Sequence, residues 1–115
     1  MKIVLAGAGA FGQKHLDALK LIDGVEVVSL GGRELPATRE VAQKYGVGHV
    51  TTDLGEALAQ PGVDAAILCT PTQLHAAQAL QCLDAGKHVQ VEIPLADSII
   101  GAEAVARRQR ETGLV

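Results

Sequence analysis

The first twelve residues constrain the fold more than any other stretch. Lys2–Ala6 (KIVLA) is a short apolar run, and Gly7-Ala8-Gly9-Ala10-Phe11-Gly12 follows it directly. A continuous apolar run of this length reads as a strand covered on both faces. From Ala10 the pattern changes. Phe11, His15, Leu16, Leu19 and Ile22 recur at three- and four-residue spacing, the period of an amphipathic helix. Each glycine between strand and helix has its own reason. Gly7 permits a tight turn, Gly9 lets a bulky anion approach the main chain, and Gly12 lets the helix pack close to the sheet. The N–H groups of residues 9 to 12, including Ala10 and Phe11, then point with the helix dipole at a bridging phosphate.

The alternation continues along the chain. VEVVSL (25–30) is a second strand, and a helix over 35–45 opens with Pro36 and closes at Gly46. GHVTTD (48–53) is a short third strand, and an Asp53-capped helix runs from it to about Gln60, where Pro61-Gly62 breaks it. AAILCT (65–70) is the fourth strand, and a helix over 72–85 ends at Gly86. GKHVQVEIPLA (86–96) is the fifth, with a last helix from about Asp97 to Glu111 before Gly113. Five strand–helix units with short connections require parallel strands and right-handed crossovers. The expected fold class is therefore α/β, a Rossmann-type doubly wound parallel sheet forming one dinucleotide-binding domain over residues 1–115. Gly113-Leu114-Val115 falls where a sixth strand is expected to begin, so the domain reads as truncated before or at that strand.

Composition narrows the partners. Phe11 and Tyr45 are the only aromatic residues, so the core must be built from Val, Ile, Leu and Ala. The net charge is −3, and the one basic group, Arg107, Arg108 and Arg110, reads as a solvated helix face; nucleic acid is not an expected partner. No run is long enough to span a membrane. The Ala-x-Ala after Lys2 resembles a signal-peptide end, but glycines interrupt the run and Lys14, His15 and Asp17 follow at once. Cys69 and Cys82 read as reduced, mostly buried thiols of a cytoplasmic protein. They have no metal-ligand spacing, and His15, His49, His75 and His88 are scattered, so no metal site is expected.

Ligands of a doubly wound sheet sit beyond the carboxyl ends of its strands. The second strand ends in Ser29-Leu30-Gly31-Gly32-Arg33. An NAD site wants a carboxylate at that tip for the ribose 2′-hydroxyl, and none stands there; Glu34 comes just after. Arg33 suits a 2′-phosphate and can stack on adenine, with Ser29 and the glycines leaving room, so NADP is expected in preference to NAD. The fourth strand ends in Thr70-Pro71-Thr72, expected to border the cofactor with the hydroxyls of Thr70 and Thr72; Thr72 is also placed to cap the next helix, and His75 lies in its first turn, facing the same crevice as a ribose or cofactor contact. The fifth strand delivers Glu92 to that edge, where its carboxylate can accept from a cofactor hydroxyl, and Pro94 stops further pairing.

Taken together, GAGAFG, CTPTQLH and GKHVQVEIPLA resemble the N-terminal domain of the Gfo/Idh/MocA oxidoreductase family over essentially all 115 residues. The family's Thr-Pro-x-x-x-His segment matches Thr70, Pro71 and His75, and its Glu-Lys-Pro matches Glu92-Ile93-Pro94 except at the lysine. The resemblance implies an NAD(P)-dependent dehydrogenase. It also implies a small-molecule substrate bound by a second, C-terminal domain, absent here, which mediates homo-oligomers. The family lysine is assigned substrate-binding or acid–base work, and Ile93 does neither, so no catalytic residue is expected within this chain. The alternative is a non-catalytic dinucleotide- or CoA-binding module.

Overall fold

The computed structural model describes all residues, 1–115. In chain order the elements are β1 (Lys2–Ala6), α1 (Ala10–Leu19), β2 (Glu26–Gly31), α2 (Leu35–Tyr45), β3 (His49–Thr51), α3 (Leu54–Leu58), β4 (Val63–Leu68), α4 (Thr72–Asp84), β5 (His88–Val91) and α5 (Ile99–Thr112). The five strands form one sheet in the order β3-β2-β1-β4-β5, and every neighbouring pair is parallel. The expected doubly wound arrangement is therefore present.

β1 is central, and its alternation divides the apolar run between two cores. Ile3 and Leu5 pack with Leu16 of α1, Leu30 of β2 and Ala42 of α2 on one face. Val4 and Ala6 pack with Leu58, Leu68, Ala79 and Leu83 on the face covered by α3, α4 and α5. Val4, Leu5, Leu30 and Leu68 are completely shielded from solvent. No helix is long and apolar enough to cross a membrane.

Several boundaries differ from the sequence expectation, and two of the shifts bear on the site. β4 begins at Val63 and ends at Leu68, two residues early, because Val63 pairs with Lys2 and the Asp64 carboxylate accepts the Lys2 N–H at 2.8 Å. Cys69 and Thr70 therefore lie beyond the strand. α4 has Pro71 at its N-cap with no side-chain cap bond, so Thr72 is the first helical residue and not the expected cap. α1 stops at Leu19; Leu21 and Ile22 close onto Ala18 and Leu19 in turns, and Ile22 is half-exposed outside the core. Ser98 caps α5, its hydroxyl accepting the Gly101 N–H at 3.0 Å.

Since the chain winds from β1 through β2 to β3 and returns past β1 to β4, the strand order reverses between β1 and β4. The carboxyl ends of those two strands open the crevice in which a doubly wound sheet binds its ligand.

Candidate nucleotide site

The glycine turn has the geometry its spacing predicts. Gly7 holds φ at +106°, and a Cβ built on it would lie 2.3 Å from Cys69 O. Its N–H donates to Gly31 O at 2.8 Å, so the turn is pinned between the ends of β2 and β4. A Cβ on Gly12 would lie 1.8 Å from Gly7 O, which shows how tightly α1 sits on the turn. Gly9 is the opposite case: a Cβ there meets nothing within 4 Å. The main chain at Gly9 faces open space at the N-terminal end of a ten-residue helix with no acidic residue in its first turn. The first-turn N–H groups of a helix have no intrahelical acceptor. That cradle fits the linking phosphates of a dinucleotide.

A cleft of about 1000 Å³ runs across this end of the sheet. The turn from Ala6 to Gly9 lies at its centre, Gly31–Glu34 and the first turns of α2 on one side, and Cys69–Pro71 with Gln73, Leu74 and Gln78 of α4 on the other. A smaller hollow of about 480 Å³, lined by Gln60, Pro61, Gly62 and Lys87, lies at the residues that lead into β4 and β5, the opposite edge of the sheet from the glycine turn.

On the β2 side, Arg33 and Glu34 are both exposed and both line the cleft. Ser29 does not join them. β2 extends to Gly31, which places Ser29 inside the strand, fully buried, with Oγ 2.7 Å from His49 Nδ1. Gly31 and Gly32 line the cleft at the tip, and a Cβ on Gly32 would lie 1.9 Å from Thr38 Oγ1, so α2 packs closely there. Ala10 and Phe11 offer main-chain amides to the turn, but neither side chain lines the cleft; Phe11 is 62 % exposed, with Lys14 Nζ 5.3 Å from its ring centroid.

On the β4–β5 side, Thr70 and Pro71 line the cleft and Thr72 does not, and Thr70 Oγ1 donates to Gln78 Oε1 at 2.5 Å. His75 is placed differently from the expectation. It is buried, with Nδ1 2.8 Å from Pro94 O and Nε2 2.7 Å from Thr70 O. With both nitrogens on backbone carbonyls, the ring ties the Pro94 loop to the end of β4 and acts on the crevice only through Thr70.

Glu92 stands at the end of β5, its N–H donating to Leu68 O at 3.0 Å, and its carboxylate meets a partner the sequence did not reveal. His15 Nε2 donates to Glu92 Oε1 at 2.6 Å, across 77 residues of sequence. Cys69 joins them; its sulfur, the His15 nitrogen and the Glu92 oxygen all lie within 4.8 Å of one another. Three chemically distinct groups with no spacing signal are thus gathered by α1, β4 and β5. The donor set resembles a zinc set, but the nitrogen and oxygen sit at hydrogen-bond distance, closer than the roughly 3.3 Å between two ligands of one tetrahedral ion. Burial, and then the Glu92 charge, push the Cys69 thiol up to about 11, so it is protonated at neutral pH. As folded, the cluster is a hydrogen-bonded pair with a thiol beside it.

His15 was legible only as part of a helical rhythm, and Gln73, Leu74 and Gln78 only as helix residues. Their arrival at the cleft depends on how α1 and α4 dock, which spacing alone does not encode.

The whole chain, residues 1–115, matches the model of an oxidoreductase family with an NAD-binding Rossmann fold, Gfo/Idh/MocA. It is 66 % identical over 115 residues to the 4-carboxy-2-hydroxymuconate-6-semialdehyde dehydrogenase of a Sphingobium strain, covering all of this chain and 36 % of that protein. Among solved structures it superposes with a TM-score of 0.95 on GenD2 from gentamicin A biosynthesis in complex with NAD, at 31 % identity, over 100 % of this chain and 33 % of that one. It superposes at 0.92 on the biliverdin reductase of Synechocystis in complex with biliverdin and NADP+, at 27 % identity, over 99 % of this chain and 36 % of that one. The chain spans about a third of the length of the relatives it matches.

Proposed function

The chain belongs to the Gfo/Idh/MocA oxidoreductase family as its NAD-binding Rossmann domain, and from that premise we propose that its cleft holds NADP in a dehydrogenase that oxidises the cyclic hemiacetal of 4-carboxy-2-hydroxymuconate-6-semialdehyde to 2-pyrone-4,6-dicarboxylate. The observation that carries the cofactor part is the cleft itself. Gly9 leaves bare main chain at a helix N-terminus, and Arg33 stands at the tip of the neighbouring strand. A guanidinium there pairs with a 2′-phosphate through charge-assisted hydrogen bonds. The substrate rests on the 66 % identity to a dehydrogenase of that name, across a chain that includes AGAGAFGQKHLDAL and GKHVQVEIPLADS.

NADP, when bound, would supply the acceptor for the hydride of the hemiacetal carbon, with a base taking the hydroxyl proton. This chain's residues do the holding. The glycine turn binds the linking phosphates, Arg33 the adenosine end, and Thr70, Pro71 and Glu92 border the other end. Thr72 and His75 support that border from α4. Ile93, 93 % exposed and without a titratable group, takes no proton. The base therefore belongs to residues outside these 115, in a second domain that also binds the substrate and mediates homo-oligomers.

Fluorescence titration with NADPH and NADH tests the cofactor reading. The unaltered chain should bind NADPH more tightly. Arg33→Ala should weaken NADPH by about ten- to a hundredfold, the worth of one charge-assisted pair, and leave NADH within about twofold. Tighter binding of NADH by the unaltered chain would assign the strand tip to Glu34 instead and overturn the NADP reading.

A further inference from the structure

The dinucleotide reading leaves one contact unexplained, the bond between His15 and Glu92. Glu92 is fixed by its main chain, but its side chain is 30 % exposed and by itself would swing freely. His15 removes that freedom. It projects from α1, whose position is set by Gly12 against the Gly7 carbonyl and by Leu16, which is buried. Its Nε2–H takes Oε1 at 2.6 Å, and Oε2 is left with no hydrogen-bond partner in the protein. Cys69, which lines the cleft, lies within 4.8 Å of both groups of the pair, so the carboxylate stands one residue behind the cleft lining, next to it.

The sheet order says which part of a dinucleotide reaches this point. Arg33 lies at the end of β2, the glycine turn at the end of β1, and Glu92 at the end of β5 beyond β4. A dinucleotide with its phosphates at the turn and its adenosine toward Arg33 extends its nicotinamide ribose toward β4 and β5. We infer that His15 is a positioning residue: by holding Oε1 of Glu92 it aims Oε2 to accept a hydroxyl of the nicotinamide ribose. The helix that offers its N-terminus to the phosphates thus also orients the group that receives the far ribose. This rests on the dinucleotide reading and adds to it a role for His15.

The test compares NADPH with 2′,5′-ADP, which keeps the adenosine and 2′-phosphate and lacks the nicotinamide ribose. Both are titrated calorimetrically into the unaltered chain, into His15→Ala, His15→Gln and Glu92→Ala, and into the double variant His15→Ala with Glu92→Ala. A hydrogen bond to a charged group is lost, so His15→Ala should weaken NADPH by about tenfold and leave 2′,5′-ADP unchanged. His15→Gln, which keeps a donor, should recover part of the affinity. With Glu92→Ala in place, removing His15 should cost nothing further. Equal weakening of both ligands would mean that His15 only supports the fold, and no weakening of either would mean that the bond is incidental; each overturns the inference. An unaltered chain that takes up 2′,5′-ADP and NADPH with equal affinity would show that the far ribose is not held, and also overturns it. Failure to bind either ligand would instead bring down the dinucleotide reading on which the inference stands.

Discussion

At the scale of single residues, the three glycines of the turn do separable work, and substitution should separate them. A side chain at Gly7 meets Cys69 O at 2.3 Å in a backbone conformation that L-residues rarely adopt. Gly7→Ala should therefore lower the thermal midpoint and binding together. Gly9 has no neighbour for a Cβ to strike. Gly9→Ala should melt with the unaltered chain and still lose NADPH affinity by roughly 2 kcal/mol, because the methyl group occupies the phosphate's approach. Melting curves beside a titration check both. The thiols make a prediction for alkaline pH. Burial pushes Cys82 from 9.0 up to about 12, and burial with the Glu92 charge pushes Cys69 to about 11. The fold thus favours the neutral thiols. That contribution is full below pH 9 and is lost as pH rises through 11 and 12. Cys82→Ala lacks part of it, so the gap in melting temperature between it and the unaltered chain should narrow from pH 9 to 12. The motif glycines and Arg33 were legible because backbone freedom and charge are local properties. His15 and the burial of His75 were not, since each depends on a partner far away in sequence, Glu92 for one and the Pro94 carbonyl for the other.

At the scale of elements, helix ends were easier to read than strand ends. Gly46 and Gly113 adopt the left-handed conformation that closes α2 and α5, and the Asp53 carboxylate accepts the Glu56 N–H at 3.0 Å as its position before α3 suggests. These signals lie within one turn of chain. The limits of β2 and β4 depend instead on their neighbours: Ser29 is buried because β2 continues to Gly31, and Cys69 is freed because β4 begins at Val63. An apolar run fixes neither end of a strand when the register is set by another strand. Ser98 was missed because Asp97 beside it is an equally good capping residue by type. Its hydroxyl holds the Gly101 N–H at the start of a helix whose first two residues, Ile99 and Ile100, are exposed. Ser98→Ala should cost about 1 kcal/mol in urea unfolding, while Asp97→Ala should cost little.

At the scale of the whole molecule, a parallel, doubly wound sheet followed from the alternation of strands and helices together with the handedness of crossovers, and the structure bears it out, adding the strand order that alternation alone does not fix. The division into two cores was not spelled out by any local pattern, because an unbroken apolar strand does not show which residues face which helices. Leu68 sits in the core under α3, α4 and α5 with no exposed surface, and its strand carries Cys69 and Thr70 into the cleft. Leu68→Ala should cost roughly 2–5 kcal/mol in chemical unfolding. It should also loosen dinucleotide binding, since it undermines the strand that presents one wall of the site. Equal binding at temperatures where the variant stays folded would show that the wall is held independently of the core.

The central position of β1 also bears on synthesis. Lys2 pairs with Glu26 on one side and with Val63 on the other. β1 thus finds one neighbour early in synthesis and waits for the second until α2, β3 and α3 have also been made. Until then the unpaired backbone groups along one of its edges are open to any passing strand. Chaperones that recognise unpaired apolar segments would find their natural target there, and crowding of nascent chains on one messenger would be most hazardous in that interval.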